Sequence, residues 1–142
     1  MGSSLTVRMT CRFAPGGVDR WLARSITYPR FVGSDTATTE STVGDLLYRL
    51  AGGLSVGEIA ARYPVRVEDD SARLEWTSVP TEIGVEVREL ARVLFEAALP
   101  DASHALVGAM DELAPEELAW FDVRRYDGDR VEVLPRWPGR GS

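Results

Sequence analysis

Residues 43–64 of the sequence read VGDLLYRLAGGLSVGEIAARYP, and this stretch decides the predicted fold. Apolar residues recur at helical spacing from Val43 to Leu50, which predicts a helix, and Thr42 is suited to cap it. Gly52-Gly53 ends this helix, because one of the two glycines can take a positive φ without steric cost. The first half of the stretch is therefore predicted to be a short, capped helix.

The second half of the stretch carries the signals of another helix. Ser55 and Glu58 have the spacing of a capping box, in which the serine oxygen accepts from an amide three residues on and the glutamate reaches back. Pro64 ends the segment, since the residue before a proline disfavours helical backbone. Two short helices around a glycine turn are the layout of a helix-turn-helix, which we expect over residues 43–64.

Two hairpins are predicted downstream of this unit. Residues 65–78 alternate between apolar and polar side chains on both sides of Asp69-Asp70-Ser71, and they predict a hairpin placed like the wing of a winged helix. Asp127-Gly128 is a preferred two-residue connection between alternating segments, and it predicts a second hairpin within residues 120–134.

The remaining segments complete an α+β fold. Residues 5–13 alternate with a period of two and predict a half-buried strand. Residues 25–42 turn polar, and residues 33–42 within them predict an extended loop. Residues 82–99 form the strongest amphipathic helix, residues 103–113 indicate a further helix, and a short third one starts at Ala114. The predicted fold class is thus α+β: a helix-turn-helix with a β-hairpin wing, followed by C-terminal helices and a second hairpin.

Length and composition favour one domain. The chain has 142 residues, of which 44% are apolar, enough for a single hydrophobic core over residues 1–142, with a frayed tail at residues 135–142. No segment approaches the ~20 uninterrupted apolar residues of a membrane span. Residues 1–4 lack the basic-then-apolar layout of a signal peptide, so we expect a cytoplasmic protein.

The charge is unevenly distributed along the chain. All sixteen basic residues are arginines, and the net charge is −6. Residues 58–117 carry five arginines against fourteen acids, a net charge of −9, whereas residues 1–57 carry six arginines against four acids, a net charge of +2. Because an acidic surface repels phosphate, any contact with nucleic acid requires a local group of arginines.

Residues 26–33, ITYPRFVG, together with residues 43–64 resemble the domain of unknown function 433 family. The best-matching part is LAGGLSVGEI at residues 50–59, followed by Tyr63-Pro64. Family members usually have Gly-Thr-Arg just before the valine that opens the first helix, where this chain has Thr39-Glu40-Ser41-Thr42. The resemblance implies a winged helix-turn-helix, and it implies likeness to VapB-type antitoxins that pair with PIN-domain ribonuclease toxins of the VapC type.

The second predicted helix offers little positive charge for reading DNA. Of its outward residues, only Arg62 can make a bidentate contact with guanine or phosphate. Arg49 on the first helix, with Arg66 and Arg73 on the wing, is placed to add phosphate contacts. These four arginines are the predicted DNA-binding residues, and the alternative is that they are ordinary solvated side chains.

The acidic centre of the chain suits a basic protein partner, as in an antitoxin that covers a positively charged toxin, although it also suits an ordinary solvated surface. Trp76, Trp120 and Tyr126 are the predicted partner-binding residues, because tryptophan and tyrosine are enriched at interface hot spots. Core packing explains Trp76 equally well. We expect a homodimer through the helix at residues 82–99, and a DNA-binding regulator or an antitoxin rather than an enzyme.

Signals for catalysis are few. Cys11, the single cysteine, is predicted to be a buried strand residue, and His104, the single histidine, lies in a predicted helix. Adjacent acids such as Asp69-Asp70 point to different sides of their element, so no catalytic pair is predicted. No cofactor or metal is expected. The alternative is a small cofactor-free cyclase or isomerase, or a ligand-binding protein of bacterial secondary metabolism, with an apolar pocket.

Overall fold

The computed structural model describes residues 4–29, 38–56, 59–113 and 122–135, and at residues 54–56, 59 and 60 it describes the backbone alone. Helices and strands follow one another along this part of the chain as β1 (Ser4–Phe13), α1 (Gly17–Ala23), β2 (Ser25–Pro29), β3 (Thr38–Thr42), α2 (Val43–Gly52), β4 (Leu54–Val56), β5 (Ile59–Ala61), β6 (Val65–Val67), β7 (Ser71–Pro80), α3 (Gly84–Ala98), β8 (Ala102–Asp111), β9 (Val123–Asp127) and β10 (Arg130–Leu134). None of the described helices is long and apolar enough to cross a membrane.

A six-stranded antiparallel sheet organises the molecule, with the strand order β10-β9-β8-β1-β7-β6. β1 lies in its middle, where Met9 pairs with Leu74 of β7 on one side and with Val107 of β8 on the other. The predicted strand at residues 5–13 is therefore confirmed. Because successive side chains of a strand point to opposite faces, the apolar and polar residues of β1 define an inner face and an open face of the sheet.

α3 covers the inner face, and it confirms the predicted helix at residues 82–99, apart from a first turn that is 3₁₀. The helix packs against β1, β8 and β2 through its buried stripe, which consists of Val87, Leu90, Ala91, Leu94, Phe95, Ala97 and Ala98. Burying one large aliphatic side chain stabilises the fold by about 1.5–3 kcal/mol, so the packing of α3 on the sheet forms much of the hydrophobic core. The chain's own sheet covers this stripe, and the homodimer expected through the helix stays a prediction.

The prediction of a helix-turn-helix is wrong beyond Gly53. α2 begins as predicted, with the Oγ1 of Thr42 accepting from the amide of Asp45 at 3.2 Å. Gly53 turns the chain with a φ of 103°, but Leu54–Val56 and Ile59–Ala61 then pair as a two-stranded sheet instead of forming a second helix. A capping box is a local preference, which pairing between strands overrides. In its described part the fold is mostly antiparallel sheet with three helices, without a helix-turn-helix or wing.

The predicted helix at residues 103–113 is also wrong, because this segment forms β8 between β1 and β9. Ala105 and Ala109 are buried on the inner face, and Met110 is buried on the opposite face. A strand buried on both faces loses its alternation of apolar and polar residues, and its alanines favour a helix locally. The short helix expected from Ala114 lies outside the described residues.

Both predicted hairpins are present. The hairpin at residues 65–78 is β6-β7, but it forms an edge of the large sheet and not a wing. In β9-β10, Arg130 pairs with Asp127, so the loop is Gly128-Asp129, one residue later than predicted, and Gly128 has a φ of 71°. Within residues 33–42, which were expected to be a loop, residues 38–42 instead form β3, and β3 pairs antiparallel with β2.

Candidate functional site

The open face of the large sheet has an apolar end and a basic end. At the end formed by β8, β9 and β10, Met110 and Val123 are buried and pack with Leu106 and Leu134. At the end formed by β6, β7 and β1, the open-face side chains are polar, and they are exposed on β6 and on most of β7 but mostly half-buried on β1. The basic end therefore offers accessible polar surface.

Three arginines meet at the basic end, and we call Arg12, Arg66 and Arg73 the arginine cluster. Arg73 on β7 pairs with Arg66 on β6 and with Thr10 on β1, two residues before Arg12. Neighbouring strands lie about 4.8 Å apart, so the three side chains project from adjacent positions of one face. They line a depression of about 220 Å³ together with Thr10, Cys11, Glu68, Ser71, Ala72 and His104.

The arginine cluster is exposed, and no carboxylate of the described residues is bonded to it. Within the described part of the chain, none of its guanidinium groups forms a hydrogen bond or an ion pair. Arg66 and Arg73 stand directly opposite each other, which destabilises a sheet because like charges repel. Among the described residues, Glu68 is the only acid lining the depression, although the whole chain has a net charge of −6. Such guanidinium groups favour an anion that accepts bidentate hydrogen bonds, such as phosphate.

Most other described arginines have carboxylate partners. Asp101, almost fully buried, accepts from Arg20 at 2.9 Å and from Arg24 at 2.5 Å. Further pairs are Arg8–Glu75, Arg49–Asp45, Arg92–Glu89, Arg124–Glu96 and Arg125–Glu132. Outside the arginine cluster, Arg62 and Arg130 are the described arginines for which the structure shows no such bond. The lack of partners is therefore concentrated at the basic end.

The four arginines predicted to contact DNA do not form one surface. Arg66 and Arg73 are brought together in the arginine cluster. Arg49 bonds to residues of α2 and β2 instead. Arg62 is exposed just after β5 and lines a different depression.

The three aromatic residues predicted to bind a partner have different surroundings. Trp76 is only 3% exposed, its Nε1 donates to the carbonyl of Pro64 at 2.9 Å, and its ring packs edge-on against Tyr63. This agrees with core packing, the alternative that the sequence left open. Tyr126 on β9 is half-buried and packs against the core. Trp120 lies outside the described residues.

The titratable groups near the arginine cluster are better suited to interact with a charged ligand than to take part in catalysis. Cys11 is buried, as predicted, and burial raises the pKa of its thiol to about 12, which keeps it protonated. His104 is exposed on a strand, not in a helix, opposite Arg12 on β1 and Asp127 on β9. Among the described residues, no three His, Cys, Asp or Glu side chains are grouped so as to hold a metal ion.

Several acids of the acidic centre, residues 58–117, are bonded within the described part of the chain. Asp101 is enclosed by two arginines, and Glu89 and Glu96 on α3 each bind an arginine. Glu112 accepts from hydroxyls of β1 and an amide of β7, and these bonds lower the pKa of its carboxyl group. These four carboxylates lie on different parts of the fold: on α3, in the turn before β8 and just after β8.

The alternative function requires an apolar pocket. One depression lined by described residues lies between α3 and the sheet, in part against Val7 and Val107, and it measures about 30 Å³. A space of that size holds about one water molecule. This depression is too small for a substrate of the size that a cyclase or isomerase would bind.

Arg12 and His104 were missed by the sequence analysis. Arg12 already occupies a polar position of the alternating strand at residues 5–13, which is a signal for the open face. Its proximity to Arg73 depends on pairing between β1 and β7, which residue spacing does not reveal. His104 was missed because its segment was predicted to be helical.

No protein family, curated protein or solved structure matches this chain. The fold and the site define an α+β protein built on an antiparallel sheet, with an arginine cluster on its open face. That cluster is the feature of the molecule that points to a ligand.

Proposed function

We propose that this protein binds nucleic acid through phosphate contacts made by the arginine cluster. The observation that carries the proposal is the direct opposition of Arg66 and Arg73, close to Arg12, with no carboxylate bonded to any of them in the described part. Two guanidinium groups held in this way repel each other until an anion lies between them. A polyanion therefore binds at a place where the fold itself is under electrostatic strain.

The arginine cluster contacts the phosphate backbone of the nucleic acid and not its bases. On the described positions of the open face there is no Phe, Tyr or Trp on which a base could stack. Arginines that bind phosphates position a protein on nucleic acid without reading its sequence. We therefore expect binding that is independent of sequence and strongly dependent on salt.

Fluorescence anisotropy with the full chain tests the proposal, with labelled duplex and single-stranded oligonucleotides titrated at several salt concentrations. The variant R12A/R66A/R73A is expected to lose most binding at low salt. The slope of log K against log salt concentration should fall by about 2–3 for duplex DNA, because each phosphate contact contributes about 0.9 to that slope.

Arg130→Ala is the matched control. Arg130 is exposed on β10, on the same face of the sheet but at the opposite edge, and it also has no described ion pair. On a duplex of about 10 base pairs, which one copy of the protein can cover, this variant should keep the wild-type salt dependence, whereas Arg73→Ala should reduce it. Absence of binding at low salt, or a triple variant that binds like the wild type, contradicts the proposal.

A further inference from the structure

β10 is an edge strand that exposes apolar side chains. No described strand pairs with its outer side. Val131 and Val133, which point to the inner-face side of the sheet, are 48% and 64% exposed. Edge strands with free backbone groups and apolar side chains are templates for pairing with another strand.

The backbone groups free to pair on this edge follow from the hairpin geometry. The two-residue loop closes on the pair formed by Asp127 and Arg130, which in such hairpins is a hydrogen-bonded pair. The N–H and C=O groups of Val131 and Val133 then point away from β9, because hydrogen bonding alternates along a strand. Pro135, two residues further, has no N–H to donate. An incoming strand therefore finds its donors at Val131 and Val133.

We propose that two copies of this chain pair antiparallel through β10, about a two-fold axis at Val131. In this register, Val131 lies opposite Val131 of the second copy, and Arg130 lies opposite Glu132 of the second copy in both halves. The register centred on Val133 would instead face Glu132 with Leu134, and it would require the missing donor of Pro135. The register centred on Glu132 would pair Val131 with Val133 but would place Glu132 opposite Glu132, so charge complementarity selects the register centred on Val131.

Within one copy Arg130 lacks an ion-pair partner among the described residues, and the second copy would supply one. Glu132 accepts from the Nε of Arg125 at 2.8 Å within the chain, whereas Arg130 has no described ion pair. Opposite positions that do not share hydrogen bonds have Cα atoms about 4.5 Å apart, so the guanidinium group of Arg130 reaches the carboxylate of the facing Glu132. Each carboxylate would then lie between two arginines, one from each copy.

The size of this interface sets the expected strength. Pairing of two five-residue strands buries less than the about 1,200 Å² typical of stable complexes, so the dimer should be weak and depend on concentration. It would join two six-stranded sheets into one continuous sheet. The inference goes beyond nucleic-acid binding and does not depend on it, because the arginine cluster lies toward the other edge.

Sedimentation velocity of the full chain, from about 5 µM to about 500 µM, tests the dimer. The weight-average sedimentation coefficient of the wild type should rise with concentration. Arg130→Glu places carboxylates opposite each other twice, and Glu132→Arg places guanidinium groups opposite each other twice. Each variant alone should weaken association by about tenfold or more. An equimolar mixture of the two should associate again, because its heterodimer has two complementary pairs.

Val131→Lys is a second test of the dimer, and it leaves Arg130 and Glu132 unchanged. It should weaken association because it places two ammonium groups at the two-fold axis. Val85→Lys is its control, because Val85 is a similarly exposed valine on α3, at 59% exposure. Circular dichroism establishes that each variant is folded. A wild type that stays monomeric over the whole range, a dimer unaffected by Arg130→Glu and Val131→Lys, or folded charge variants that fail to associate when mixed would each overturn the proposal.

Discussion

Arg66 forms no ion pair in the described part of the chain, and its repulsion with Arg73 should have a measurable effect on the stability of the fold. Arg66→Thr removes the repulsion with Arg73 and places a β-branched residue on the strand. We expect the free energy of unfolding to rise by about 0.5 kcal/mol, while binding to nucleic acid weakens. Urea denaturation and anisotropy measure the two effects on the same protein.

Arg130→Thr serves as the comparison for that substitution. Arg130 also lies on an edge strand, but it stands opposite Asp127, an acid. Replacing it should not stabilise the protein. If Arg66→Thr lowers the free energy of unfolding, other contacts of Arg66 outweigh its repulsion with Arg73, and the pair is no longer a sign of an anion-binding site.

Asp101 links the turn before β8 to α1 and makes stability depend on pH. Burial raises the pKa of its carboxyl group, but hydrogen bonds from Arg20 and Arg24 outweigh burial, and the pKa lies below the ordinary value of 3.8. The unfolded chain therefore takes up the proton first as the solution is acidified. The stability contributed by Asp101 is present above pH 3.8 and is lost as the pH falls through the lowered pKa.

We expect Asp101→Asn to lower the free energy of unfolding at pH 7 by about 1–3 kcal/mol, because the amide carries no charge for the two arginines. Urea denaturation from pH 7 down to about pH 3 measures this difference, which should shrink at the acid end. Asp19→Asn, an exposed acid on α1, should change stability by about 0.5 kcal/mol or less. A difference between Asp101→Asn and wild type that stays constant with pH argues against the ion pairs.

At the residue scale, part of the candidate site could be predicted because two of its residues are close together in the sequence. Arg66 and Arg73 stand on either side of a tight turn, so their pairing in a hairpin was predictable. Arg12 and His104 come from strands distant in the sequence. Their positions beside the pair follow from sheet order, which no local pattern specifies.

At the scale of elements, α1 depends on a close contact at its first residue. A Cβ on Gly17 would lie 2.9 Å from the carbonyl oxygen of Asp101 and 3.0 Å from the Cβ of Phe13. Gly17→Ala should therefore lower the free energy of unfolding by about 1–3 kcal/mol, since backbone atoms have little room to shift. Thermal or urea denaturation measures the loss.

Gly52→Ala is the matched substitution at the end of α2. Nothing lies within 4 Å of the added methyl group, so helix propensity should dominate and stability should rise by up to about 1 kcal/mol. Equal effects of the two substitutions would mean that the contact between α1 and Asp101 is looser than the structure has it.

The elements that sequence periodicity identified were those with one buried face. β1 and α3 each present a regular apolar stripe to the core and were predicted correctly. β8 is covered on both faces, so its composition resembles that of a helix. β4 and β5 follow a glycine pair, and the capping-box pattern in their segment favours a helix locally. Only the pairing of the two segments makes them strands.

At the scale of the whole molecule, nucleic-acid binding and dimer formation together predict an effect of oligonucleotide length. A two-fold axis perpendicular to the sheet keeps both arginine clusters on one face. Arg73 lies four strands from β10, so nine strand spacings of about 4.8 Å, or about 43 Å, separate the two copies of Arg73. Duplex DNA of about 13 base pairs covers that distance at about 3.4 Å per base pair.

Where the dimer is populated, a duplex of about 24 base pairs should bind about tenfold or more tightly than one of about 10 base pairs, since it can contact both clusters. Anisotropy with both duplexes measures the ratio. Arg130→Glu should reduce the ratio to the small increase expected from additional binding positions. An identical ratio in wild type and variant would show that the two clusters do not act together.

The central place of β1 also affects how the chain can fold during its synthesis. Its two neighbours, β7 and β8, are translated after it, and β8 ends only at Asp111. Until both have left the ribosome, Val7 and Met9 lack the strands that enclose them, so the nascent chain exposes an apolar segment that chaperones can bind. Closing such long loops is slow, and the sheet therefore assembles late, around the strand that was made first.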